Sequence, residues 1–152
     1  MCVGPLSVVD AGPAHVSVLT EMHAACFEEP WGAVFLQTLL NQPGIFGIIV
    51  QCSEQPAGFG LCRVAGDEGE ILTCCVMPHF REHGVGRLMM TSALNEAERR
   101  GALCVFLEVA ESNVAARRLY TALGMRAIGR RPRYYRRAGG QAEDALIFRG
   151  DS

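Results

Sequence analysis

The stretch VMPHFREHGVGRLMM, residues 76–90, joins a strand-like run to a helix-like run. It places Arg81, the bare glycines Gly84 and Gly86, and Arg87 at the junction. Glycine loses more backbone freedom on folding than any other residue, so a pair in one short turn implies close approach to the main chain. A helix starting near Gly84 presents unbonded N–H groups at its N-terminus, where the helix dipole favours negative charge. The natural ligand of such a junction is a phosphate or pyrophosphate. Two phosphate-binding patterns do not fit. A dinucleotide fingerprint needs a third glycine where this chain has Met89. A P-loop needs Gly-Lys followed by Ser or Thr, and the chain contains no lysine.

Outward from this junction, strand and helix signals alternate. LSVVDA (6–11) reads as a first strand. Val16, Leu19, Met22, His23 and Cys26 recur at helical spacing, EEPWG breaks the pattern, and Val34, Phe35, Thr38 and Leu39 mark a second short helix. IFGIIVQC (45–52), PAGFGLCRV (56–64) and EILTCCVMP (70–78) read as three strands. Val85, Leu88, Met89, Ala93, Leu94 and Ala97 form the next helical face, with Gly101 as its stop. LCVFLEVA (103–110) is a strand, and Ser112 or Asn113 can cap a helix running to Leu123. MRAIGR and EDALIFR close the list as strands, joined by an Arg-rich loop. The order predicts one α/β domain over residues 1–152, with a mixed central sheet flanked by helices.

Composition limits the function classes. A chain of 152 residues, 49% hydrophobic and 20% charged, suits a soluble domain with a full core. No apolar run approaches the length of a membrane span, and MCVGPLSVVDAGP lacks the basic start of a secretory signal. The seven cysteines include no C-x-x-C pair and no metal-ligand spacing, so they read as buried reduced thiols in a cytosolic protein. Charge is unevenly spread. Residues 1–70 carry one Arg against eight acidic residues, whereas residues 71–152 carry 13 Arg against eight. That split suggests one face suited to a cation and another suited to phosphates, unless folding interleaves the halves.

The run Arg81-Glu82-His83-Gly84-Val85-Gly86, at a strand-to-helix junction, resembles motif A of the GNAT N-acetyltransferases. LEVAESNVAARRLYTALGM (107–125) resembles the motif that follows it in that family, and RPRYYRRAGGQAEDALIF (131–148) resembles the family's C-terminal segment. Together they are most similar to the RimI branch, which acetylates the N-terminal alanine of ribosomal protein S18. The resemblance covers nearly the whole chain in order, is strongest from Glu70 to Phe148 and is weak before Trp31. Two departures stand out. Cys74-Cys75 replaces small and aliphatic residues, and RAGGQAED replaces the usual Pro and Asp-Gly turn, which leaves the acceptor loop open.

The resemblance implies a GNAT fold, acetyl-CoA as cosubstrate and no metal. The pyrophosphate is expected on the 81–87 loop (Arg81, Glu82, His83, Gly84, Val85, Gly86, Arg87). The pantetheine arm is expected along the backbone of Cys74, Cys75 and Val76, which also supplies the oxyanion donor. Direct transfer from a thioester to an amine needs a neutral amine, a stabilised oxyanion and a proton for the leaving thiolate. The resemblance makes Glu108 the general base and Tyr120 the proton donor. The other readings are an Arg-paired carboxylate at a strand end for Glu108 and a half-buried packing residue for Tyr120. Asn113 is implied as a cofactor contact, with an ordinary helix cap as the other reading. Trp31, Tyr134 and Tyr135 are implied on the acceptor side, or serve packing. The Arg cluster at 130, 131, 133, 136 and 137 reads as a solvated loop, with an acidic partner as the other reading.

The leading expectation is acetylation of a protein N-terminal α-amine, that of ribosomal protein S18, by a cytoplasmic enzyme with no nucleic-acid or membrane partner. The other readings are a GNAT enzyme for a small amine, such as a polyamine or an amine antibiotic, and a non-catalytic acyl-CoA binding module.

Overall fold

The computed structural model describes residues 4–136 and 139–152. Seven strands form one sheet in the order β1-β2-β3-β4-β5-β7-β6. They are β1 (Leu6–Ala11), β2 (Ile45–Cys52), β3 (Gln55–Ala65), β4 (Glu68–Val76), β5 (Cys104–Ala110), β6 (Arg126–Arg136) and β7 (Ala142–Asp151). Four helices cover it: α1 (Val16–Cys26), α2 (Ala33–Leu40), α3 (Val85–Arg99) and α4 (Val114–Ala122). This is the expected single α/β unit with a mixed sheet, because β4 and β5 run parallel while every other neighbouring pair is antiparallel. No helix among the described residues is long and apolar enough to cross a membrane.

Strand alternation divides the core in two. On β2, Ile48 and Val50 join Met89, Met90, Ala93 and Ala97 of α3, whereas Ile49 joins Leu19 of α1 and Leu36 and Leu39 of α2 on the other face. Period-2 strands and period-3.6 helices therefore meet on both sides of one sheet.

β4 is the strand that matters for function. Its register against β3 steps from Leu61↔Thr73 to Cys62↔Ile71, which leaves Leu72 as an extra residue on β4. A bulge of this kind bends the strand that carries it. Pairing with β5 ends at Glu70↔Phe106. Beyond that point β4 and β5 separate, and one edge of residues 72–76 is left without a neighbouring strand.

The Arg-rich segment differs from the expected loop. β6 extends to Arg136, so Arg130, Arg131, Arg133 and Arg136 lie on a strand; Arg137 lies outside the described residues. Cross-strand pairing explains the extension. Arg130 pairs with Glu111 and with Asp144 of β7, and the Arg133 N–H donates to Asp144 at 2.8 Å. The cysteines also differ in part. Cys26, Cys62, Cys74, Cys75 and Cys104 are free thiols, but Cys52 is disulfide-bonded.

Candidate active site

The separation of β4 from β5 opens a cleft of about 1080 Å³. Its walls are the divergent strands, the C-terminal end of α1 with the segment that follows it, the start of α4, and β6. It brings together Trp31, Cys74, Glu108, Asn113, Tyr120, Tyr134 and Tyr135. Residues more than 100 positions apart thus share one cavity, and the apolar β4 contributes its unpaired main chain to it.

Tyr120 is buried, and its ring meets Phe148 edge-on with centroids 5.8 Å apart. Its hydroxyl lies 3.6 Å from Cys74 Sγ. Burial, reinforced by the Cys74 thiol, holds the phenol well above its usual range. The proton therefore stays on the oxygen at neutral pH. The Cys74 thiol is itself raised by burial, so it is no ready nucleophile.

Glu108 is half-buried, and its Oε1 forms an ion pair with Arg131 Nε at 2.9 Å. The Arg-paired reading of this carboxylate is thus observed. The side chain still borders the cleft. Near this pair the two halves of the charge distribution interleave, with Arg63, Glu68 and Glu70 around Glu108 and Arg131. Asn113 is a helix cap: its side chain accepts from the Ala116 N–H at 3.2 Å.

The 81–87 loop lies at the Val76 end of β4. Gly84 has φ +82°, a left-handed conformation that L side chains rarely adopt, and a Cβ there would meet open space. No side chain caps α3, whose first internal bond runs from the Leu88 N–H to Gly84 O. The N–H groups of Val85, Gly86 and Arg87 are therefore unbonded among the described residues, as an anion site requires. Gly86 serves a second purpose. A Cβ there would sit 3.3 Å from Leu119 Cδ2 and 3.5 Å from Val76 Cγ2, so its bareness lets α3 close on α4 and β4. Val85 points into the core, while Arg81, Glu82, His83 and Arg87 are exposed. Arg81 Nε donates to Val76 O at 3.2 Å, which ties the loop to the strand end.

Sequence reasoning missed His23. It reads as one more residue of a helical face, yet it organises the wall of the cleft around Trp31. Its Nδ1 accepts from the Trp31 N–H at 3.0 Å, so the ring proton sits on Nε2, facing Thr73 Oγ1 at 3.3 Å. The ring stacks on Phe27 and Trp31, with centroids 4.2 and 5.0 Å apart. Burial lowers its pKa to about 4, so it is neutral at physiological pH. The legible signal was a polar ring inside the apolar stripe of α1. Tyr134 and Tyr135 line the same cleft from β6, packed edge-on with centroids 5.1 Å apart.

Comparison with known proteins agrees with this architecture. Residues 16–125 match the acetyltransferase (GNAT) family. The chain is 31% identical over 132 residues to the [ribosomal protein bS18]-alanine N-acetyltransferase of Haemophilus ducreyi, covering 86% of this chain and 89% of that one. It is 37% identical over 95 residues to the Salmonella typhimurium enzyme of the same name, covering 62% and 64%. The crystal structure of the Escherichia coli ribosomal-protein-S18-alanine N-acetyltransferase superposes with a TM-score of 0.89 at 24% identity, over 97% of this chain and 94% of that one. Arabidopsis thaliana NAA60 in complex with acetyl-CoA superposes with a TM-score of 0.85 at 20% identity, over 97% and 98%. The chain belongs to the acetyltransferase (GNAT) family and is an acetyl-CoA-dependent N-acetyltransferase.

Proposed function

We propose that this enzyme acetylates the α-amine of a protein N-terminus, and that its substrate is the N-terminal alanine of ribosomal protein bS18. The observation that carries this reading is the 31% identity, across 86% of the chain, to an enzyme named for that substrate. A cytoplasmic location follows from the substrate. The cleft chemistry is consistent with it. Acetyl-CoA supplies an activated thioester and a thiolate leaving group. The unbonded N–H groups at the start of α3 hold its pyrophosphate, with Arg81 and Arg87 adding charge and Glu82 and His83 completing the loop. The free edge of Cys74, Cys75 and Val76 lines up the pantetheine arm and offers main-chain N–H groups to the developing oxyanion. Asn113 turns the free end of its amide toward the cofactor.

Glu108, ion-paired with Arg131 and bordering the cleft, takes a proton from the incoming ammonium. An α-amine, with a pKa of about 8 against about 10.4 for lysine, is the easier group for a carboxylate to deprotonate. Tyr120 holds its proton until the thiolate leaves and then donates it. Trp31, Tyr134 and Tyr135 grip the first residues of the peptide.

The test is release of free CoA from acetyl-CoA with three acceptors: an Ala-ended bS18-like peptide, the same peptide with its amine blocked, and a polyamine. Turnover on the free peptide alone is expected. Turnover on the polyamine alone overturns the substrate while keeping the family.

A further inference from the structure

The side chain of Cys74 turns toward Tyr120, while its main chain belongs to the free edge of β4. Its Sγ lies 3.6 Å from the Tyr120 hydroxyl across 46 positions of sequence, and both residues border the cleft. The contact is held from both sides. Gly60 stands opposite Cys74 on β3. A Cβ there would lie 2.9 Å from Met89 Sδ and 3.8 Å from Cys74 Cβ, so Cys74 and the α3 residue Met89 pack on the same face of the sheet. On the Tyr120 side, the ring meets Phe148 edge-on, and Tyr120 O accepts from the Leu123 and Met125 N–H groups at 3.1 and 3.0 Å. These contacts fix the ring and its backbone. They leave the O–H free to turn about the C–O bond, and a donor to the phenol oxygen is what would fix it.

We propose that Cys74 is a positioning residue for acetyl transfer: its S–H donates to the Tyr120 oxygen, aims the phenol proton into the cleft, and steadies the phenolate left when that proton moves. The proposal rests on the reading of Tyr120 as the proton donor. As the tetrahedral adduct collapses, its carbon–sulfur bond breaks and the electron pair goes to the CoA sulfur. The Tyr120 O–H bond breaks and the S–H bond of free CoA forms. The phenolate carries the charge until solvent returns a proton, and the Cys74 proton stays on its own sulfur throughout.

The direction of the bond follows from the chemistry. A thiol and a phenol can each donate across this gap. A phenol that donated to Cys74 would point its proton away from the leaving sulfur, so the thiol is the donor in the competent arrangement. Its proton is available, because burial holds Cys74 above its ordinary range. A hydrogen bond to an ionised acceptor is roughly twice as strong as one to a neutral acceptor. The contact therefore gains strength as the phenolate forms, and its effect belongs in kcat.

The experiment compares Cys74→Val, Cys74→Ser, Tyr120→Phe and the double variant Cys74→Val/Tyr120→Phe. Kinetics are read by CoA release with whichever acceptor, peptide or polyamine, supports turnover, and acetyl-CoA affinity by calorimetry. Cys74→Val fills the space without a donor and should lower kcat about fivefold, the worth of one hydrogen bond. Acceptor KM and acetyl-CoA affinity should stay within about twofold, because the main chain of this residue is unchanged. Cys74→Ser keeps a donor and should recover part of the loss. In the Tyr120→Phe background, Cys74→Val should lower kcat no further, since no phenol oxygen faces it. Wild-type kcat in Cys74→Val, or Cys74→Ser no faster than Cys74→Val, overturns the proposal while leaving Tyr120 as the donor. The same fivefold fall in the Tyr120→Phe background also overturns it and makes Cys74 a packing residue. Wild-type turnover in Tyr120→Phe overturns the reading of Tyr120, and the proposal with it. A circular dichroism spectrum matching wild type qualifies each variant as folded.

Discussion

The two ends of the cleft are built from different materials. At the β4–α3 end, the features that suit acetyl-CoA are main-chain features: the free edge of residues 72–76, the left-handed turn at Gly84, and the unbonded N–H groups that follow it. At the α1–β6 end, the features are side chains: His23 clamped between Trp31 and Thr73, and the tyrosine pair of β6 across from it. A main-chain site demands few residue identities beyond glycine, so it leaves a short local motif. A side-chain site is assembled from separate elements and leaves almost none. On the proposed reading, the family shares the first end because it shares the cosubstrate, and the second end chooses the individual acceptor.

Several substitutions would break or sharpen this division. The largest effect is expected at the junction of the two ends. Tyr120→Phe keeps the edge contact with Phe148 but removes the proposed proton donor. It should lower kcat by about 10²–10⁴-fold while leaving acetyl-CoA affinity unchanged, read by steady-state kinetics and calorimetry. Loss of binding along with turnover would make Tyr120 a packing residue instead.

His23 comes next. Its folded-state pKa of about 4 lies below the ordinary 6.5, so the unfolded chain binds the proton more readily. Stability from this group is complete above pH 6.5 and is lost as pH falls toward 4, by about 3 kcal/mol in total. Denaturant unfolding of wild type and His23→Gln across that window should show the slope in wild type alone. A parallel slope in the variant would assign the acid sensitivity to carboxylates.

Gly84→Val forces a β-branched residue into the left-handed region, at about 1–2 kcal/mol of strain. It should weaken acetyl-CoA binding roughly tenfold, as that strain distorts the N–H groups. Gly86→Ala meets only the ends of the Leu119 and Val76 side chains, at 3.3 and 3.5 Å, and should change affinity less. The reverse ranking would mean that helix packing, and not the turn, sets the anion site.

Much of the fold was legible because its signals are local. The order of strands and helices follows from alternation on β2, β3 and β5, the apolar stripe of α3, and stops such as Gly101. The length of β6 was not legible, because Arg130 and Arg133 are held on the strand by acidic groups of β7 and of the segment after β5, a pairing no local window contains. Glu108 and Tyr120 stood out through family motifs, and the cleft places both on its wall. Arg131 as the partner of Glu108, and His23 as the clamp on the Trp31 main chain, depend on contacts across 23 and 8 positions, so spacing could not reveal them.

The central claim is that acceptor choice is carried by side chains at one end of the cleft and cosubstrate binding by main chain at the other. The most direct test is the double variant Trp31→Ala/Tyr134→Ala, measured for acetyl-CoA affinity by calorimetry and for peptide KM by CoA release. The account predicts acetyl-CoA affinity within about twofold of wild type and a peptide KM raised about tenfold, the loss of roughly 1.4 kcal/mol of aromatic contact. Affinity and KM changing together, or peptide KM holding at the wild-type value, would contradict it.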